Sequence, residues 1–137
     1  MNSFRTKTIL VLLAVIITSI SMANKPNEGE GINITVSPST LVLSRDIGCV
    51  TVHSNIPFDP TADYLNLLCL SGPEGLESPY LAKADSCGEL VLKFDGSAIK
   101  TIVGEEPGQV ELTLVTPDDQ EPSEFIVIAS DTIRVKE

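Results

Sequence analysis

The chain has 137 residues, of which 42% are hydrophobic, and 19 acidic against 9 basic side chains give a formal net charge of -10. This length corresponds to one domain, and the hydrophobic fraction is too high for a disordered tail. The shortage of basic residues excludes a surface that follows nucleic-acid phosphates.

The first 23 residues have the layout of a secretory signal peptide. Arg5 and Lys7 form a basic start, an apolar run follows over 9–20, and Ser21-Met22-Ala23 precedes the expected cut. The apolar run is shorter than the roughly 20 residues that a membrane-spanning helix needs. We therefore expect cleavage after Ala23 and a secreted protein, extracellular or periplasmic, that has no membrane attachment after cleavage.

A polar leader is expected at 24–31, and 32–137 is predicted to form one all-β domain. Short apolar runs, several of which alternate with period two, are typical of strands, and clusters of Gly, Pro, Asn and Asp separate them. The predicted strands are 32–36, 40–44, 49–53, 65–70, 89–94, 109–115, 124–129 and 131–135. This pattern predicts an antiparallel sandwich of about seven or eight strands.

One segment, 96–103, is predicted to be a short helix that crosses from one sheet to the other. Three apolar residues recur at helical spacing, namely Ile99, Ile102 and Val103. Asp95 or Ser97 is the expected N-cap, and Gly104 is the expected stop. We expect the three apolar side chains to be buried against the core.

Four stretches together resemble a small Ig-like β-sandwich module of secreted bacterial and archaeal proteins. They are VTVHSNIPF (50–58), KADSCGELVLKFDGSAI (83–99), GQVELTLV (108–115) and SDTIRV (130–135). The resemblance extends over most of 36–135 and implies the Ig-like fold, an extracellular setting and no catalytic activity. The chain departs from the module at Cys69 and Ser86-Cys87, where polar residues without thiols are expected, and in the longer acidic loop 116–124.

The only histidine, His53, is predicted to be a surface residue. Val50 and Val52 should face the core, which turns Cys49 and His53 outward. These two residues would be about 13 Å apart along a strand, too far for one metal ion to bridge. With a single histidine and no Gly-x-Ser-x-Gly elbow, we expect no enzyme, no catalytic or metal-binding residue and no cofactor.

The three cysteines, Cys49, Cys69 and Cys87, allow at most one disulfide within the chain. If strand 49–53 lies antiparallel to strand 89–94, Cys49 and Cys87 lie at opposite ends of that pair. Cys69 is expected in the facing sheet. We therefore expect unpaired thiols, with an intermolecular disulfide as the alternative.

Two acidic turns, 59–63 and 118–121, and two tyrosines, Tyr64 and Tyr80, are the other candidate ligand-binding features. The turns lack the register of a calcium loop and are expected to be solvated, with a weak shared calcium site as the alternative. The tyrosines are expected at strand ends, with glycan stacking as the alternative. Asn33 begins a formal N-glycosylation sequon.

The sequence thus favours a non-catalytic secreted module with a protein-binding or structural role in the envelope or the extracellular space. The alternative is a calcium- or glycan-binding accessory module. A protein partner is expected at a sheet edge or at a free thiol, and nucleic acid is not expected. Val91 and Lys93, or the run 124–129, are the candidate edges. The run EFIVIA alternates little, which is typical either of a strand buried on both faces or of an exposed edge.

Overall fold

The computed structural model describes residues 31–118, 120 and 124–137. The predicted signal peptide and all of the leader except Gly31 lie outside these residues. The described part is mostly β structure, which confirms the all-β prediction, and none of its helices is long and apolar enough to cross a membrane.

The strands form two sheets. The first sheet is antiparallel and has the order β1 (Ile34–Ser37), β3 (Cys49–Pro57), β7 (Glu89–Asp95) and β6 (Leu81–Ala84). The second sheet has the order β2 (Thr40–Val42), β9 (Phe125–Lys136), β8 (Gly108–Pro117), β4 (Cys69–Gly72) and β5 (Gly75–Glu77). Its pairs are antiparallel except β2, which runs parallel to β9.

One hydrophobic core lies between the two sheets, because alternate residues of each long strand face inward. The first sheet contributes the buried side chains Val50, Val52, Ile56, Leu90, Leu92 and Phe94. The second contributes Leu70, Val110, Leu112, Leu114, Ile133 and Val135 to the same cluster. The period-two pattern of the sequence therefore marked the inward face correctly in β3, β7 and β8.

The first strands of the domain change sheets. β1 pairs with β3 in the first sheet, and after a cis Ser37–Pro38 peptide the chain enters the second sheet as β2. The backbone N–H of Arg134 donates to the Ser39 carbonyl at 2.9 Å, and that of Leu43 donates to the Lys136 carbonyl at 2.7 Å. Strand β2 is therefore fastened at both of its ends to the last residues of β9.

The predicted helix is confirmed as α2 (Gly96–Val103), after a single-turn α1 (Tyr64–Leu67) earlier in the chain. The carboxylate of Asp95 accepts from the Ala98 N–H at 3.2 Å, and Gly104 ends the helix with a φ of 85°. Three side chains are buried as predicted, namely Ile99, Ile102 and Val103. The helix carries the chain from β7 in the first sheet to β8 in the second.

The predicted strand 65–70 is wrong in its first half, where α1 forms before β4 begins at Cys69. Tyr64 and Leu68 are four residues apart and both are buried, a spacing that suits one helical turn. The backbone N–H of Asp59 donates to the Tyr64 hydroxyl at 2.8 Å and holds the preceding loop against this turn.

The structure has nine strands among its described residues, against the seven or eight predicted. The sequence pattern missed β5 and β6, which are short, mostly exposed edge strands without alternating burial. The predicted strands 124–129 and 131–135 are one continuous strand, β9. The boundary expected at Ser130 is absent because Ser130 pairs with Thr113 in the β8–β9 ladder.

All three cysteines lie in the described residues and are free, as expected. Cys49 pairs with Asp95 at one end of the β3–β7 ladder, whereas Cys87 lies in the turn beyond the other end. Cys69 is in the second sheet. Cys87 is exposed, and the other two are half-buried.

Gly96 is the glycine whose replacement should cost most stability. A Cβ at this position would overlap the carbonyl oxygen of Ile47, a backbone atom that no side-chain rotation can move. We expect Gly96→Ala to lower the free energy of unfolding by about 2 kcal/mol or more in urea denaturation, as overpacked sites do. Gly48→Ala is the control, because a Cβ there meets nothing within 4 Å. Equal losses in the two variants would contradict this account.

The thiols give a second test. Protein purified without reductant should show three titratable thiols when it is unfolded. In the folded protein, Cys87 should react first with a thiol reagent because it is exposed. Cys87→Ser should remove the fast phase of labelling. A monomer with only one titratable thiol would show that two cysteines form a disulfide.

Candidate functional site

The first half of β9 has a strand neighbour on one side only among the described residues. β8 pairs with β9 from Phe125 to Val135, with one register shift at which Ile128 has no partner, whereas the three-residue β2 reaches only Arg134 to Lys136. We call the half without a second neighbour, Phe125–Ser130, the open edge. The alternate N–H and C=O groups of a strand that face away from its neighbour are available to another strand.

The open edge displays apolar side chains to solvent. Phe125 is 40% exposed, Ile126 is 39% exposed and Val127 is 65% exposed. In the second half of β9, Ile133 and Val135 are almost completely buried. Of the two alternatives for the run 124–129, the structure therefore supports an edge and excludes a strand buried on both faces.

The other predicted edge is wrong. Val91 and Lys93 lie on β7, which has β3 on one side and β6 on the other. Their strand is central because β6, which the sequence pattern did not reveal, occupies the edge of the first sheet.

One row of side chains on the outward face of the second sheet adjoins the open edge. Leu112 and Leu114 face the core, so Val115 points outward, where it stands between Val127 on β9 and Cys69 on β4. Val115 is only 3% exposed, so its neighbours cover it, and the accessible apolar surface here comes from Val127. We call the open edge and this row together the apolar strip.

A buried hydroxyl lies directly behind the strip. Thr116 pairs with Ile126 and is 1% exposed, and its Oγ1 has no hydrogen-bond partner among the described residues. A buried polar group without a partner destabilises the fold by about 1–3 kcal/mol. Thr116 is thus a weak point in the sheet next to the open edge.

The remaining strand ends and edges differ from the open edge in length or in chemistry. β5 and β6 are edge strands of three and four residues, each with one exposed leucine, Leu76 or Leu81. In β1, the Val36 N–H donates to the carboxylate of Asp131 at 2.8 Å, which partly closes that edge. Short edges and satisfied N–H groups are common protections against strand pairing.

The candidate ligand-binding residues of the sequence do not converge on one site. His53 is exposed on the first sheet, and the described residues contain no group of three or more His, Cys, Asp or Glu side chains that could hold a metal ion. The side chain of Asp59 accepts from the N–H and hydroxyl of Thr61 at 2.9 and 2.7 Å. These hydrogen bonds lower the pKa of Asp59, and they order its own turn. In the second acidic turn, Asp119 and Glu121 lie outside the described residues.

The two tyrosines have different environments. Tyr64 is buried, and its ring lies 5.7 Å from that of Phe58, so it offers no face to a glycan and lies on a helix instead of a strand end. Burial raises the pKa of its hydroxyl. Tyr80 is 55% exposed and stands just before β6. Asn33 is exposed beside the start of β1, and its N–H donates to the side chain of Asn55 at 2.9 Å.

Comparison with known proteins found no matching protein-family model, no matching curated protein and no matching solved structure.

The unpartnered hydroxyl behind the open edge predicts a stabilising substitution. Thr116→Val keeps the shape of the side chain and removes the buried polar atom, so the free energy of unfolding should rise by about 1 kcal/mol. Thr113→Val is the matched control, since the Thr113 hydroxyl lies 3.0 Å from the Ser130 hydroxyl and would lose that hydrogen bond. Urea denaturation of both variants tests this, and destabilisation by Thr116→Val would contradict it.

Proposed function

We propose that this chain is a secreted, non-catalytic Ig-like module that binds another protein by adding a strand of that protein to the open edge. The observation that carries this proposal is the open edge itself, where unpaired backbone groups and exposed apolar side chains occur on the same short segment. Strand addition uses both features, because the backbone supplies affinity and the side chains supply selectivity.

The strand order supports the Ig-like assignment. In that fold, a sheet of the first, second, fifth and fourth main strands faces a sheet that contains the third, sixth and seventh. Here β1, β3, β7 and β6 form the first sheet, and β9, β8 and β4 form the centre of the second. β5 extends the second sheet, as an additional strand does in variable-type domains, and β2 is the detached end of the first strand.

The surrounding charges favour one class of partner segment. Glu124 and Asp131 flank the open edge, no charged residue lies between them, and the whole chain has a net charge of -10. A second copy of the chain would bring the same acidic charges to the interface. The chemistry therefore favours an extended segment whose apolar residues face the strip and whose ends carry lysine or arginine.

The extracellular or envelope setting rests on the signal-peptide pattern at 1–23 and on the resemblance to secreted modules. A surface strand that is free to pair is a route to partner binding and also an aggregation risk. Binding is proposed because the open edge, the feature that carries the proposal, offers backbone and apolar contacts to a partner.

A photo-crosslinking experiment tests the proposal. A benzophenone amino acid at Phe125, in protein secreted by the native host, should capture a partner that the same group at Tyr80 does not capture. Both positions are exposed and aromatic, but Phe125 begins β9 of the second sheet, whereas Tyr80 lies just before β6 of the first. Equal capture from both positions, or no capture from Phe125, would contradict the proposal.

The captured partner can then be purified and its binding measured. Val127→Lys should weaken binding at least tenfold, which is about 1.4 kcal/mol, because it places a charge in the apolar strip. Val127→Thr keeps the branched shape without a charge and is the control. Amide hydrogen exchange at 125–130 should slow on binding, since strand addition protects the backbone. Unchanged exchange at these amides would contradict strand addition even if the partner binds.

A further inference from the structure

We propose that the outer face of the first sheet holds a binding site for a compact oxyanion, a sulfate or phosphate group, between His53, Lys83 and Lys93. This site is on the opposite sheet from the open edge and does not depend on the function proposed for it.

The strand register brings these side chains together around one apolar residue. Val91 on β7 pairs with His53 on β3 and with Lys83 on β6, so the three stand in a row across the sheet. Lys93 lies two residues beyond Val91 on the same strand and therefore on the same face. Together they line a shallow depression of about 450 Å³.

Val91 forms the floor of this depression. Its neighbours Leu90 and Leu92 are buried in the core, so the Val91 side chain points outward, yet it is only 2% exposed. The side chains around it therefore stand above it as walls. The two lysines are diagonal neighbours about 7–8 Å apart, with their Cβ atoms somewhat closer, so an anion seated over Val91 would lie within the reach of both side chains.

The charge in this depression is opposite to that of the protein. The chain has 9 basic and 19 acidic side chains, but two of the nine lysines and arginines surround this one depression together with the only histidine. The single acidic side chain in its lining is Asp85. Positive charge is thus concentrated in this depression, although the chain as a whole is acidic.

Asp85 is already engaged by the backbone of its own turn. Its Oδ1 accepts from the N–H of Cys87 at 2.8 Å and from the N–H of Glu89 at 3.0 Å. The pKa of Asp85 is lowered mainly by the hydrogen bond from the Glu89 N–H. The nearby His53 also lowers the pKa of Asp85. Asp85 therefore stays ionised and offsets one of the two lysines. The depression keeps a net positive charge, which rises when His53 is protonated.

The type of cation selects the type of anion. Lysine ammonium groups are compact charges with three donors each, whereas the planar guanidinium of arginine matches a carboxylate with two parallel hydrogen bonds. The depression contains lysines and no arginine, and the Thr51 hydroxyl in its lining is one more donor. This donor set suits the tetrahedral arrangement of oxygens in sulfate and phosphate better than a flat carboxylate.

Titration of the purified protein with inorganic sulfate and inorganic phosphate, at constant ionic strength, tests the site. Amide resonances of 51–53, 83–85 and 91–93 should shift and saturate, while acetate should give at least threefold weaker binding. Methyl sulfate and methyl phosphate carry the same group on an ester. Tighter binding of the esters would identify an ester ligand, and equal binding would identify the free anion; either result supports the site.

Two double variants separate this site from general charge effects. Lys83→Gln with Lys93→Gln should weaken sulfate binding tenfold or more. Arg134→Gln with Lys136→Gln removes the same charge from β9 and should change binding less than twofold. Thermal unfolding of each variant checks that the fold is retained. Equal losses in the two double variants, or shifts that do not saturate, would overturn the proposal.

The pH dependence gives an independent readout. The charged and titratable groups that line the depression are His53 from β3, Lys83 and Asp85 from β6 and its turn, and Lys93 from β7. Glu89 lies outside the lining but on the same face of β7, two residues before Val91. An imidazole changes charge between pH 5 and 8, whereas lysine ammonium groups remain charged over that range. Sulfate keeps its charge over this range, unlike phosphate, and is therefore the ligand for this test. Sulfate binding should be tighter at pH 5.5 than at pH 7.5, and His53→Gln should remove this difference. A difference that persists in His53→Gln would overturn the assignment of His53 to the site.

Discussion

The architecture depends on one short segment that has to serve the edges of two sheets. β1 pairs with β3 at the edge of the first sheet, and the chain then crosses to the second sheet as β2. Only the three residues of β2 therefore pair with β9. A strand that stayed in one sheet could cover a longer stretch of its neighbour. The division leaves Phe125–Ser130 without a second neighbour among the described residues, and this is why an apolar strand has an unpaired side.

The sequence predicted those parts of the fold that depend on local signals. β3, β7 and β8 alternate between core and solvent, and α2 has both a capping carboxylate and a terminating glycine, so each could be recognised from its own residues. β5 and β6 could not, because they are short and exposed and form only through the ladders of their neighbours. In α1, burial of residues four apart outweighed the apolar run that suggested a strand.

Both candidate sites depend on which strands become neighbours, and that information is not local. The run 124–129 left open whether a second strand covers β9, since the answer lies in how far β2 extends. The row of His53, Val91 and Lys83 requires β6 beside β7. The sequence pattern does not indicate β6, so it does not predict this row. The outward direction of His53 was predictable from Val50 and Val52, but the lysines that stand near it were not.

The parallel pairing of β2 with β9 also determines how the domain would respond to a pulling force. The described chain begins just before β1 and ends just after β9, so tension between its two ends draws β2 and β9 in opposite directions along their length. The backbone hydrogen bonds of Arg134 and Leu43 to the neighbouring strand then lie across the force and are loaded together, in shear. A hairpin pulled open from one end would lose such bonds one at a time. Strands that are sheared in this way resist extension more strongly than strands that are separated one hydrogen bond at a time.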